Sequence, residues 1–71
     1  MEARLWTVAR YPAGTWDTGG KISDPAYECC EVYQILATDR DQAKKKAQSA
    51  RSSLVRKGSP LPTQASPYKA N

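Results

Sequence analysis

The sequence predicts an α+β fold. A small antiparallel sheet of two strands, or three if the intervening loop adds one, is covered by one C-terminal helix in ββα order and followed by a disordered C-terminal tail. Three observations predict this. Two runs of strand-type residues stand at about 3–11 and 27–37; a capped, alanine-striped run spans about 39–57; and a proline-rich stretch without period fills 59–71. The chain of 71 residues allows one compact domain, placed at 1–58, with 59–71 as a flexible tail. A chain of this size buries only ~60% of the surface its unfolded form exposes. It contains no Phe, so its aromatic bulk must come from Trp6, Trp16, Tyr11, Tyr27, Tyr33 and Tyr68.

The first strand, Arg4-Leu5-Trp6-Thr7-Val8-Ala9-Arg10-Tyr11, is rich in aromatic and β-branched types. Alternation puts Leu5, Thr7, Ala9 and Tyr11 on one face and Arg4, Trp6, Val8 and Arg10 on the other. Neither face is wholly polar. The second set reads either as a core edge whose Trp is covered by arginine stems, or as a partly exposed aromatic–arginine patch of the kind that forms interface hot spots.

Pro12 ends the strand because it cannot donate to a ladder. Residues 12–26, with Gly14, Gly19 and Gly20, read as a loop that is long for so small a domain. Trp16 in its middle either folds back on the core or stands out as an anchor. The Gly19-Gly20-Lys21 sequence lacks the spacing of a phosphate-binding loop. The second strand places Cys30, Val32, Gln34 and Leu36 on one face and Cys29, Glu31, Tyr33, Ile35 and Ala37 on the other. It pairs most simply antiparallel with the first, and the free edges of such a sheet could accept a partner peptide as an added strand.

The helix carries the fullest set of local signals. Thr38 or Asp39 can cap its start, Asp41 lies in its first turn and Arg56 and Lys57 in its last, and Gly58 with Pro60 ends it. Ala43, Ala47, Ala50 and Leu54 form one narrow apolar stripe. Leu54 and Val55 are expected to carry most of its packing, and Leu54→Ala to unfold it, as a thermal melt would register. The tail, with Pro60, Pro62 and Pro67, offers only Leu61 and Tyr68 as large contacts.

Charge is polarised along the chain. Residues 1–38 carry three basic and five acidic side chains, whereas residues 39–57 carry seven basic and two acidic ones, within an overall net charge of +4. Such a field suits an acidic partner, either nucleic acid or an acidic protein surface. Enzyme chemistry is not expected. The chain has no His, its carboxylates are scattered, and Cys29 and Cys30 are adjacent, flanked by Glu28 and Glu31, which disfavours thiolate. No cofactor or metal is expected either, since two adjacent thiols cannot fill a tetrahedral site. Met1-Glu2-Ala3-Arg4 leads directly into strand-like residues, unlike an export signal, so a reduced, cytosolic, monomeric protein is expected.

From Met1-Glu2-Ala3-Arg4-Leu5-Trp6 through the helix and tail, the chain resembles the small antitermination proteins of Xanthomonas-type phages, which bind host RNA polymerase. The resemblance implies a location in the cytoplasm of an infected bacterium and binding to the N-terminal part of the polymerase β′ subunit. It also implies inhibited initiation at σ-dependent promoters and read-through of terminators. Independently of that likeness, Arg4, Trp6, Arg10 and Tyr11, with Trp16 nearby, are the expected protein contacts. An alternative is a nucleic-acid-binding module contacting phosphates through Lys44, Lys45, Lys46 and Arg51, with Arg56 and Lys57 beyond them.

Overall fold

The computed structural model describes residues 2–69; Met1 and the last two tail residues, Ala70 and Asn71, to which the flexible-tail expectation also applied, lie outside them. The elements are β1 (Arg4–Arg10), β2 (Trp16–Thr18), a 3₁₀ turn (Pro25–Tyr27), β3 (Glu31–Ala37), α1 (Arg40–Lys57) and β4 (Tyr68–Lys69). They build one four-stranded sheet in the order β2-β1-β3-β4. β1 pairs antiparallel with both β2 and β3, and β4 lies parallel to β3. The sheet is therefore mixed.

This corrects the expected ββα fold with a disordered tail: the sheet has four strands, of which the loop supplies the third that was left open, and a strand follows the helix. The loop at 12–26 contains a strand, because Tyr11 N–H donates to the Thr15 carbonyl (2.8 Å) and Gly14 N–H to the Tyr11 carbonyl (2.8 Å), which turns the chain back along β1. Gly14, at φ +100°, supplies the backbone conformation that this turn requires. The helix is also not the last element. Beyond it, Pro62 is buried, and the Gln64 amide donates to the carbonyls of Ile22 (2.7 Å) and Asp24 (2.8 Å). Tyr68 then pairs with Tyr33 in the sheet. Those bonds satisfy loop carbonyls and fix the returning segment, which is why a proline-rich stretch is ordered here.

The second strand also starts later than expected, at Glu31 rather than near Tyr27. Asp24 accepts from Ala26 N–H (2.9 Å) and Pro25 occupies the first position of the 3₁₀ turn, so local capping takes the chain out of extended geometry until Cys30. At the start of α1, Asp39 accepts from Gln42 N–H (2.8 Å), while the Gln42 side-chain Oε1 accepts from Thr38 N–H (2.8 Å) and, at 3.2 Å, from the Thr38 hydroxyl. Two orphan donors are satisfied reciprocally. The helix ends on Gly58 at φ +69°, with Ser59 N–H bonding the Leu54 carbonyl (3.0 Å) and Gly58 N–H the Val55 carbonyl (3.1 Å).

α1 lies on the sheet face that carries Trp6, Val8, Tyr33, Ile35 and Ala37. Ala43 and Ala47 are buried against Val8, Tyr33, Ile35 and Ala37, and Trp6, Trp16, Leu54 and Tyr68 close the margins. Two alanines at the contact let the helix approach closely, so the sheet side supplies most of the bulk. Leu54 is only partly buried, and Val55 is 54% exposed, contrary to the packing role expected for it. One residue of helix turns Val55 roughly 100° away from the Leu54 direction. A second cluster, Ala9, Tyr27, Cys30 and Val32 with Tyr11 and Ile22 at its margin, covers half of the opposite face. Among the described residues no helix is long and apolar enough to cross a membrane.

Candidate interaction site

The five expected protein-contact residues do not form one surface. Trp6 lies beneath Arg4, whose guanidinium stands 4.2 Å from the ring centroid, and its indole N–H donates to the Ala37 carbonyl at 3.0 Å. Its face packs on the core and its polar atom is satisfied. Trp16, carried by β2, packs against Tyr33 with ring centroids 5.7 Å apart, and Tyr68 meets the same ring at 5.8 Å. These are stabilising aromatic contacts inside the helix–sheet layer.

Arg10 stands opposite Glu31 in the β1–β3 register and pairs with it at 3.3 Å. Arg51 reaches the other oxygen of Glu31 from α1 (2.9 Å), and the Tyr33 hydroxyl donates to that oxygen as well (2.7 Å). One carboxylate thereby ties β1, β3 and α1 together. Burial, followed by the bond to Glu31, pushes the Tyr33 phenol far above its ordinary range. Tyr11 belongs to the other face, where its hydroxyl donates to Asp17 (3.2 Å) and its ring meets Tyr27 edge-on. The Tyr27 hydroxyl donates to the Gly19 carbonyl at 2.9 Å, and burial, reinforced by the Asp17 charge, pushes its pKa up to about 12.

The basic residues of the helix are equally dispersed. Consecutive helical residues diverge by roughly 100°, so Lys44, Lys45 and Lys46 fan around the helix instead of lining one face. Lys44 and Lys45 are exposed. Lys46 bends back to donate to the Leu36 carbonyl (3.0 Å), and Arg51 is committed to Glu31. A shallow depression at the N-terminus of α1, lined by Asp39, Arg40, Asp41, Gln42, Lys45 and Lys46, mixes both signs of charge. The cysteines are free, Cys29 exposed and Cys30 buried. Burial, more than any neighbouring charge, pushes the Cys30 thiol up, which makes it a poor nucleophile. Among the described residues no three His, Cys, Asp or Glu side chains stand together as metal ligands would.

What the residue types did not single out is the uncovered half of the back face. Leu5 and Leu36 are register partners across β1 and β3, 60% and 46% exposed, with Thr7 and Gln34 paired in the next row. The Thr7 carbonyl is turned towards β2, where it accepts from Gly19 N–H (2.9 Å). Thr7–Gln34, and by alternation Leu5–Leu36, are therefore non-hydrogen-bonded pairs, the type whose side chains lie closest. The signal was present in the alternation, which put Leu5 and Leu36 each on the face of its strand away from Trp6 and Ile35. Only the pairing register shows them to be neighbours.

Comparison with family models, with curated proteins and with solved structures finds no match to this chain.

Proposed function

We propose that this protein is a small non-enzymatic regulator that acts by binding another protein, and that its partner is the RNA polymerase of an infected bacterium, through the N-terminal region of β′. The binding part of the reading is carried by one observation: a sheet face left half open with two large apolar side chains side by side. Exposed, contiguous apolar surface rimmed by polar residues marks interaction sites. The choice of polymerase, with inhibition of initiation and promotion of antitermination as consequences, is supported by the resemblance to the phage antitermination proteins. The expected contacts Trp6, Arg10 and Trp16 serve the domain's own packing, so their part in binding is to hold the sheet in shape.

The test is retention of polymerase from nuclease-treated bacterial lysate on the immobilised protein, resolved by mass. Large polymerase subunits are expected; capture of nuclease-sensitive material alone rejects the reading. A nucleic-acid-binding module remains the second reading because Lys44 and Lys45 are exposed on a segment with net charge +5. It requires a gel shift that weakens steeply between low and moderate salt and disappears when Lys44 and Lys45 are neutralised.

A further inference from the structure

We propose that the open half of the back face, centred on Leu5 and Leu36, docks an amphipathic helix of the partner protein whose apolar stripe is flanked by acidic side chains. The proposal rests on the protein-binding reading above and names the surface and the chemistry of what it takes.

Three features lead to this occupant. The first is shape. Leu5 and Leu36 form a non-hydrogen-bonded cross-strand pair, and the row beyond it, Thr7 and Gln34, is half-buried. Apolar side chains three and four residues apart on a helix stand ≈ 5–6 Å from one another, which matches the spacing of neighbouring strands. The protein's own α1 covers the opposite face of these same strands, so a partner helix would complete a helix–sheet–helix stack, a common way of burying both faces of a sheet.

The second is the state of the edge. A peptide adding to β3 as a strand would need the outward polar groups of Leu36, and Lys46 already donates to the Leu36 carbonyl at 3.0 Å. β4 occupies the edge at Tyr33 and Gln34. A lysine laid over an edge carbonyl blunts strand addition. The partner is therefore directed across the face.

The third is charge. Lys46 sits at the Leu36 carbonyl and Lys69 pairs with Gln34 on β4, so both cations stand along the β3 edge of the patch, whereas Arg4 is turned to the other face over Trp6. Of the acidic groups, Asp39 is held in the helix cap, Asp17, on this face beside Ala9, accepts from the Tyr11 and Tyr27 hydroxyls, and Glu2 lies ahead of the strand. A cationic edge beside an apolar centre favours an apolar stripe flanked by acidic side chains, and repels a basic helix.

The test uses two fluorescently labelled synthetic peptides, titrated into the full-length protein by anisotropy. One is an amphipathic helix with leucines at i, i+3, i+4 and i+7 and glutamates elsewhere; its twin replaces every glutamate with lysine. The glutamate peptide should bind about tenfold or more tightly than its twin, and Leu5→Thr with Leu36→Thr should weaken it by about tenfold or more. Threonine keeps strand propensity, and an unchanged circular dichroism spectrum and melting temperature establish that the variant folds. Independently of the leucines, Lys46→Glu with Lys69→Glu should reverse the preference between the peptides. Equal binding of the two peptides, or full binding by the leucine variant, overturns the proposal. So does a wild-type dimer in sedimentation that the leucine variant converts to monomer.

Purified bacterial RNA polymerase passed over immobilised wild-type and leucine-variant protein separates this proposal from the reading it rests on. Retention by wild type alone supports both. Retention by both proteins overturns the docking surface and leaves the polymerase reading intact. Retention by neither, with peptide discrimination preserved, rejects polymerase as partner and supports the docking surface.

Discussion

Replacing Glu31 with Gln removes one charge while keeping the shape of the side chain. Three donors converge on the carboxylate: Arg10 at 3.3 Å, Arg51 at 2.9 Å and the Tyr33 hydroxyl at 2.7 Å. Glutamine keeps one carbonyl oxygen for Tyr33, but its amide group turns a donor towards a guanidinium. Hydrogen bonds to charged groups contribute ≈ 1.5–3 kcal/mol when well buried, and exposed ion pairs ≈ 0–1 kcal/mol. The side chains here are 17% (Glu31), 25% (Arg10) and 28% (Arg51) exposed, between those limits. About 1 kcal/mol for each arginine gives a loss of about 2 kcal/mol, with the Tyr33 bond retained. For a domain of 60–100 residues each kcal/mol moves the melting temperature by ≈ 4–8 °C, so Glu31→Gln should melt about 10 °C lower. The assay is thermal unfolding followed by far-ultraviolet circular dichroism at low and high salt. Wild type should lose part of its advantage as salt rises, whereas the variant should respond less. A double-mutant cycle with Arg51→Gln should show a coupling of about 1 kcal/mol. An unchanged melting temperature, or zero coupling, would mean that α1 is held by its apolar packing alone and that the carboxylate only decorates the interface.

Two further outcomes follow from the same structure. Gln64→Ala removes both amide bonds to the 22–24 loop, and at about 1 kcal/mol each it should lower the melting temperature by about 10 °C and speed amide exchange in the loop and in β4; unaltered exchange there would mean that the returning segment is anchored elsewhere. The Tyr27 phenol, with a folded pKa of about 12 against an ordinary value of 10.0, binds its proton more tightly in the native state than in the unfolded one. Its contribution to stability is thus complete below pH ~10 and is lost as the pH rises towards about 12. Denaturant melts across that window should show stability falling, and Tyr27→Phe should lessen the fall, the rest belonging to Tyr33, whose phenol is also raised.

Much of the scaffold was legible because it rests on local chemistry. The Asp39 cap, Gln42 three residues on, and Gly58 at the end are interactions within a helix turn, and the structure shows α1 between them. The alternation in β1 and β3 likewise sorted the side chains into the two faces that are observed. β4 was not legible, and β2 was legible only as a third strand that the loop could add. Strands of three and two residues have no measurable period, and their stability comes from edges offered by distant parts of the chain. Trp16 against Tyr33, and Gln64 against the carbonyls of Ile22 and Asp24, are contacts that only the assembled sheet makes available.

The same distinction explains why the expected protein contacts do not stand together on one open surface. Trp6, Trp16 and their arginines have the composition of a binding hot spot, and without a pairing register nothing shows that Glu31 stands opposite Arg10. A volume argument favours the core. The helix offers Ala43 and Ala47 to the sheet, and the chain has no Phe, so the space between the layers must be filled by Trp6, Trp16, Tyr33 and Tyr68. Once the aromatic side chains are drawn into that layer, the arginines beside them are drawn with them: Arg4 over Trp6 and Arg10 onto Glu31. The opposite face has only the 3₁₀ turn and its neighbours to cover it, and these reach as far as Ala9 and Val32. Leu5 and Leu36 lie beyond that cover. In a domain this small, a helix faced with alanine takes the aromatic residues for the core and leaves ordinary leucines exposed on the open face of the sheet.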